Sequence, residues 1–199
     1  MQLLETIRFN SGKFANIEFH QKRFNDSRKQ LFNCKDEINL ISILNSYVKS
    51  QSDYQLLKCR VVYGTEVESV EFIPYSMPNI TSLKLVNCDK IQYSHKYLNR
   101  NHINKLMLQM GNANDIIIVK NGLITDSSFA NLLFYNGEKW LTPTFPLLKG
   151  TQRAKLLEKD QIFTADIRPV DMANFSKVRL INAMLRFEDE VDIQIENIL

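Results

Sequence analysis

Cysteine is scarce in this chain, with Cys34, Cys59 and Cys88 the only three in 199 residues. They are odd in number, far apart and without a C-x-x-C pair. They therefore support neither a disulfide framework nor a thiolate metal site, and they read as reduced, partly buried thiols of a cytoplasmic protein. Histidine is equally thin. His20, His95 and His102 stand at no zinc-ligand spacing, so no metal is expected. An excess of one charge is also lacking, since 25 Lys and Arg face 22 Asp and Glu for a net charge of +3. The two signs are interleaved with no basic run, which argues against a nucleic-acid partner. No apolar window approaches the length that spans a bilayer. The opening "MQLLETIRFN" has no basic segment leading into a long apolar one, so neither a secretory signal nor a membrane partner is expected. Internal repeats and low-complexity tracts are absent.

What is present is ordinary globular composition, 44% hydrophobic and 24% charged, at a length that allows one large domain or two small lobes. "LLETIRF" alternates like a half-buried strand, "SGK" is its turn, and "FANIEF" is either a second strand or a helix entry. Helical spacing of Phe24, Ser27, Leu31 and Phe32 predicts a helix over 20–32. Asp36 is the expected N-cap of a second helix, "EINLISILNSYVKS". "YQLLKCRVVYG" and "VESVEFIPY" predict a strand pair around Gly64. Pro74 and Pro78 bracket an expected linker, "YSMPNITS".

That linker divides an α+β chain into a small lobe, 1–77, and a larger, mostly antiparallel lobe, 78–199. The larger lobe opens with the strand "SLKLVNCDKI". In "YSHKYLNRNHINKL" the pattern predicts a strand end at Lys96 running into a helix. That helix is lined by Leu98, Ile103, Leu106, Met107 and Met110 and stopped at Gly111–Asn112. Two Asn-Gly pairs, Asn121–Gly122 and Asn136–Gly137, predict type I′ hairpins among successive antiparallel strands. "GTQRAKLLEK" begins a helix at Gly150–Thr151, and the stretch from Phe163 onward supplies more strands, with a turn at 172–176.

Four features carry chemistry. Lys96 stands at a junction, and a lysine amine becomes a nucleophile when burial or a neighbouring cation lowers its pKa. Asp126 is an acid inside an apolar strand. Gly150–Thr151 opens a helix, where exposed N–H groups, the dipole and a hydroxyl form an anion seat. Arg23, on a helix with Phe24 and Leu31, is suited to a bidentate grip on phosphate. A lysine imine, a carboxylate and a phosphate cradle are the parts of a pyridoxal phosphate enzyme.

The order of these parts resembles the class IV aminotransferases, the fold-type-IV pyridoxal phosphate family, over nearly the whole chain. That family includes branched-chain and D-amino-acid aminotransferases and 4-amino-4-deoxychorismate lyase. "ETIRFNSGKFANIEFHQKRFNDS" is similar to its first strand, hairpin and helix, which implies that Arg23 contacts the cofactor phosphate. "HKYLNR" resembles the lysine motif, closest to the K-x-L-N-R form of the lyase, and implies that Lys96 is the Schiff-base lysine. "ITDSSFANLLF" matches the stretch bearing the carboxylate for the pyridine nitrogen, here Asp126, with Asn131 in place. "LTPTFPLLKGTQR" matches the phosphate-holding segment, through Gly150 and Thr151. "LINAM" stands where the family offers a last phosphate contact, through the backbone at Asn182–Ala183.

Asp126 replaces the family's usual glutamate and is one methylene shorter. Ala183 stands where branched-chain enzymes carry threonine. The chain begins at the "LLETIR" strand, where family members carry a further strand region, so a short member is expected.

The resemblance implies a homodimer acting on a small amino-bearing substrate, by transamination or by the lyase reaction that releases pyruvate and 4-aminobenzoate. A cofactor-binding protein with little turnover is the reading from a different class. Lys58 and Arg60, two apart on one strand face, are candidates for a substrate carboxylate. Glu5 matches a position near the family's site and is a further candidate for substrate binding.

Overall fold

The computed structural model describes residues 1–48 and 56–199. It comprises two compact units, Met1–Met77 with His95–Asn99, and Pro78–Ser94 with Arg100–Leu199.

In the first unit the alternation in "LLETIRFN" produces strand β1, Leu3–Asn10, with every second side chain buried from Leu3 to Phe9. Ser11 and Gly12 both take positive φ (47° and 76°). This is the geometry that lets a two-residue turn pair Asn10 with Lys13 of β2, Lys13–Phe14. "FANIEF" then enters helix α1, Ile17–Phe32, three residues earlier than the apolar spacing indicated. Strands β3, Leu57–Tyr63, and β4, Val67–Pro74, complete an antiparallel sheet of order β2-β1-β3-β4. Its inner face packs Leu3, Ile7, Cys59, Val61 and Tyr63 against Phe24 of α1 and Leu40 and Leu44 of α2, Leu40–Val48. Burial pushes the Cys59 thiol up to about 12, so it behaves as a small apolar group.

Asp36 does not cap α2. Its carboxylate accepts from Arg28 Nη2 at 2.9 Å, while Asn39 Oδ1 accepts from the Ser42 N–H at 3.1 Å and serves as the cap. The buried Arg28 guanidinium outcompetes the helix end for that carboxylate. The expected helix end at Lys49–Ser50 and strand start at Tyr54–Gln55 lie outside the described residues.

In the second unit β5, Leu83–Asn87, runs parallel to β6, Asp115–Lys120. The strand ends four residues short of the expected Ile91. An antiparallel meander continues through β7, Leu123–Ser127, β8, Asn131–Tyr135, and β9, Trp140–Pro143. The sheet runs β10-β9-β8-β7-β6-β5, with β10, Phe163–Ala165, parallel to β9. β11, Lys177–Ile181, joins β8 and β12, Asp192–Gln194, antiparallel to both.

The first Asn-Gly pair forms the expected turn, with φ 51° and 75° at Asn121 and Gly122. The second does not. Only Gly137 has positive φ, and a four-residue loop joins Tyr135 to Trp140. There Asn136 Oδ1 accepts from the N–H groups of Glu138 and Lys139, an Asx turn that displaces the two-residue hairpin.

Helix α3 is short, Asn101–Met107, and starts after Leu98. Ile103 and Leu106 pack on Val86, Ile91, Ile116 and Ile118. Helix α4 spans Thr151–Glu158. A 3-10 turn at Pro169–Asn174 precedes β11. Among the described residues no helix is long and apolar enough to cross a membrane.

Candidate active site

In the first unit Lys96 does not end a strand. It lies in a short extended segment that β1 recruits: Leu4 N–H donates to Lys96 O at 2.9 Å, Leu98 N–H donates to Gln2 O at 3.0 Å, and Leu3 and Tyr97 form an antiparallel bridge. Two non-local backbone bonds thus fix the lysine's Cα, and the side chain is half-buried. The next residue on β1 is Glu5, whose carboxylate is fully buried. Arg23 grips it from α1, Nε to Oε1 at 2.8 Å and Nη2 to Oε2 at 2.6 Å. His20 Nδ1, one helical turn earlier, lies 2.6 Å from Oε2.

Burial pushes Glu5 upward, but the Arg23 charge and the bonds from His20 and Arg23 outweigh it and bring the carboxyl down to about 2. An ionised carboxylate only accepts, so Nδ1 carries the imidazole proton. Burial also lowers His20, helped by the positive charges of Arg23 and Lys96 and opposed by Glu5.

The grip alters the expectation for Arg23. Its Nε–Nη2 edge is taken by Glu5, so that edge does not supply the expected bidentate grip on phosphate.

Lys58 and Arg60 share the sheet face opposite Glu5, as the β1–β3 register requires. Arg60 pairs with Glu71 across the ladder at 2.9 Å, and Lys58 lies over the Tyr75 ring at 5.9 Å. The three suggested substrate residues are therefore not gathered on one face.

In the second unit Asp126 and Asn131 are direct cross-strand partners around the tight turn Ser127–Ala130. Asn131 Nδ2 donates to Asp126 Oδ1 at 2.7 Å and to Leu148 O at 2.9 Å, and Leu148 N–H donates to Asp126 Oδ2 at 2.9 Å. Burial raises the Asp126 carboxyl to about 6, against the pull of these donors and of the Arg153 charge. With the Leu147 N–H also directed at it, the carboxylate retains acceptor capacity for one further donor.

Asn131 Oδ1 would lie 2.0 Å from a Cβ at position 150, so glycine there is a packing requirement. Gly150 places no side-chain cap on α4, and the first turn, Thr151, Gln152 and Arg153, is buried. Arg153 donates to Thr142 Oγ1 at 3.2 Å and Pro143 O at 2.8 Å, which ties α4 to β9. Asn182 follows β11. Its Oδ1 accepts from the N–H groups of Met184 and Leu185, at 2.7 and 2.9 Å, and its Nδ2 donates to Phe129 O at 3.3 Å. That shapes the turn containing Ala183. Arg100, last residue of "KYLNR", donates to Ser128 O at 2.6 Å, beside the Asp126 turn.

His20 and Arg153 were not singled out in the sequence. His20 had a readable signal, three residues before Arg23 and so on the same helix face. Arg153 had none, because its partners lie on another strand.

The mixed α/β fold matches the fold-type-IV pyridoxal phosphate architecture of solved structures. The profile described as amino-transferase class IV matches residues 2–187, and the chain belongs to that family. A Haemophilus influenzae protein described as uncharacterized is 39% identical over 184 residues, 92% of this chain and 97% of its own. The crystal structure of a candidate 4-amino-4-deoxychorismate lyase from Haemophilus somnus is 35% identical. It covers 94% of this chain and 97% of its own, with a TM-score of 0.87. A hypothetical aminotransferase of Mycobacterium tuberculosis, solved with pyridoxal phosphate bound, shares the fold at a TM-score of 0.78. It is 17% identical and covers 99% of this chain and 81% of its own.

Proposed function

We propose that this protein is a pyridoxal-phosphate-dependent enzyme acting on an amino acid or an amino-bearing carboxylic acid, with Lys96 as the residue to which the cofactor attaches. The observation that carries this is the lysine's backbone: β1 holds it in place through bonds on both sides, next to the buried Glu5–Arg23 pair. The residues fit the cofactor. A half-buried amine and a guanidinium in the first unit, and an uncapped helix start and a buried carboxyl in the second, are donors and acceptors of the kinds it needs.

When bound, pyridoxal phosphate supplies an electron sink for the bond broken at the substrate's Cα. Lys96 would hold the cofactor aldehyde, and its amine, when free of it, would serve as a general base and acid. Asp126 would accept the pyridine N–H, and such a cationic donor would lower its carboxyl from the value near 6. Asn131 holds that carboxylate. Gly150, Thr151 and the backbone at Ala183 would offer N–H groups to a phosphate, the Asn182 N–H being bonded to Leu185 O, and Arg23 would supply charge.

Elimination of pyruvate from 4-amino-4-deoxychorismate is a second reading. The "KYLNR" form of the lysine motif and the similarity to the candidate lyase over almost equal lengths favour it. The short Asp126 side chain supports the reading of a cofactor-binding protein with little turnover. A homodimer in the cytoplasm is part of the proposal.

The deciding experiment is absorption spectroscopy with pyridoxal phosphate, wild type beside Lys96→Ala, before and after borohydride. A visible band absent from the variant and trapped by reduction supports the reading; no band in wild type refutes it. Substrate profiling then separates transamination, which leaves a keto acid, from release of 4-aminobenzoate. Neither product from a cofactor-loaded protein would favour the binding role.

A further inference from the structure

The geometry points to Asp115 as a positioning residue for Asp126, which it holds in place by tethering the Ser127–Ala130 turn to β6. The inference rests on the reading of Asp126 as the acceptor for the pyridine nitrogen, and Asp115 acts on it through the turn.

Asp126 is weakly held by its own strand. On one side the β6–β7 ladder pairs Ile117 with Ser127 and Val119 with Ile124, so Ile118 alone stands opposite both Thr125 and Asp126. That two-against-one count is a β-bulge, which re-aims a side chain and interrupts the ladder. On the other side β7 and β8 share one pair, Asp126 with Asn131. The place of Asp126 therefore depends on the turn that follows it.

Side chains from three elements of the second unit tether that turn. Asp115 Oδ2, at the start of β6, accepts from the Ser128 N–H at 3.3 Å. Arg100, just before α3, donates to Ser128 O at 2.6 Å, and Asn182, after β11, donates to Phe129 O at 3.3 Å. The other N–H groups of the turn are satisfied within it. Ser127 N–H donates to Ala130 O, and the Phe129 and Ala130 N–H groups donate to Ser127 Oγ. The Ser128 N–H takes its acceptor from β6.

Packing does not explain Asp115. It is 1% exposed, and the next four residues, Ile116 to Val119, are all buried and apolar. Its Oδ1 is buried with no hydrogen-bond partner among the described residues. Burial pushes its carboxyl up, against the pull of Ser128, Ser127 and the Ile116 N–H. A half-satisfied buried carboxyl is less stable than an apolar side chain of similar shape. An apolar residue here, however, would leave the buried Ser128 N–H unpaired. The charged groups around the turn are Asp115 of β6, Asp126 of β7, Arg100 before α3 and Arg153 of α4. Burial raises Asp126, and the Arg153 charge opposes it.

Two variants of the full-length protein separate positioning from charge and from stability. Asp115→Ala removes the acceptor, while Asp115→Asn keeps an acceptor without the charge. Both should lower the urea midpoint, the second because its Nδ2 inherits the unpartnered place. Only Asp115→Ala should raise the Asp126 carboxyl, by about one pH unit above its value near 6, as its donors from Asn131 and Leu148 lose their alignment. Carboxyl-carbon NMR titration of the cofactor-free protein reads this. Asp115→Ala should also weaken pyridoxal phosphate binding about tenfold. It should leave unchanged the binding of a deaza analogue whose ring carries carbon in place of nitrogen.

Wild type supplies a readout that needs no variant to fold: the Ser128 amide proton should shift with the titration of the Asp115 carboxyl. A Ser128 amide that ignores that titration, or an Asp126 pKa unmoved in Asp115→Ala, would overturn the inference. An equal Asp126 shift in Asp115→Asn would assign the effect to charge, and equal losses for both cofactor forms would place it away from the pyridine nitrogen; either result overturns it too. Failure of wild type to bind pyridoxal phosphate would instead overturn the cofactor reading, and the Asp126 titration would still decide whether Asp115 positions that acid.

Discussion

Asn131 reaches Asp126 directly across the β7–β8 turn, its Nδ2 donating to Oδ1 at 2.7 Å, while its own Oδ1 occupies the space a side chain at position 150 would need. One amide thus sets both the buried carboxyl and the start of α4. Truncating it as Asn131→Ala removes an N–H donor from a buried carboxylate. The Asp126 pKa should then rise above its value near 6. Carboxyl-carbon NMR titration of the cofactor-free protein measures this directly, and an unchanged pKa would show that the Asn131 amide does not hold the acid.

The same contact makes a sharper prediction at Gly150. Its φ and ψ, −69° and 147°, suit any residue, so alanine there is strained only by the 2.0 Å approach to Asn131. Gly150→Ala should destabilise the protein by about 2 kcal/mol, as overpacking of a filled site does. In an Asn131→Ala background most of that loss should vanish. Urea unfolding of the four proteins closes the cycle, and additive losses would place the strain elsewhere.

How much of this was legible in the sequence depended on whether partners were near in the chain. Strand β1, the Asn121–Gly122 turn and the amphipathic α1 follow from periodicity and from φ requirements that a few adjacent residues satisfy. The motif around Lys96 and the acid at Asp126 could also be read. Their surroundings could not. The bonds that hold Lys96 come from Gln2 and Leu4, more than ninety positions away, and no spacing rule anticipates an extended segment borrowed by a distant strand. Asp36 looked like a cap until Arg28 claimed it. Arg23 looked like a phosphate ligand on all its edges until Glu5, eighteen residues earlier, took one of them. Local rules fail where a buried charge finds a better partner across the fold.

Acid stability should report the buried cluster. Glu5 is lowered from 4.5 to about 2, so it contributes stability that is complete above pH 4.5 and lost as pH falls toward 2. His20 is lowered below 6.5, so its contribution is complete above pH 6.5 and lost as pH falls below that value. Asp126 acts in the opposite sense: raised to about 6, it favours the folded state below pH 3.8 and that contribution fades as pH rises through 6. Between pH 6.5 and 4, His20→Gln should therefore lose less stability on acidification than wild type. Urea midpoints across that range test it, and parallel curves would mean that the imidazole does not titrate with unfolding.

Arg179 offers a separate test of a buried charge. It is 3% exposed on β11, with its guanidinium 4.6 Å from the centroid of Trp140 and 4.7 Å from that of Phe187. Asp192 takes its Nε and Nη2 at 2.6 and 2.8 Å, and Phe187 O takes Nη1 at 2.8 Å. The two rings meet edge-on with centroids 5.7 Å apart, and a planar cation beside both satisfies cation–π contact and forked hydrogen bonding together, which an ammonium cannot do. Arg179→Ala leaves Asp192 without its forked partner and should cost about 3–5 kcal/mol. Arg179→Lys keeps the charge but loses the fork and the stack, and should recover only part of that. Because Trp140 is the chain's single tryptophan, its fluorescence reports both unfolding and the loss of the stacked cation. If Arg179→Lys were as stable as wild type, charge alone would account for the site and the stacking geometry would contribute nothing.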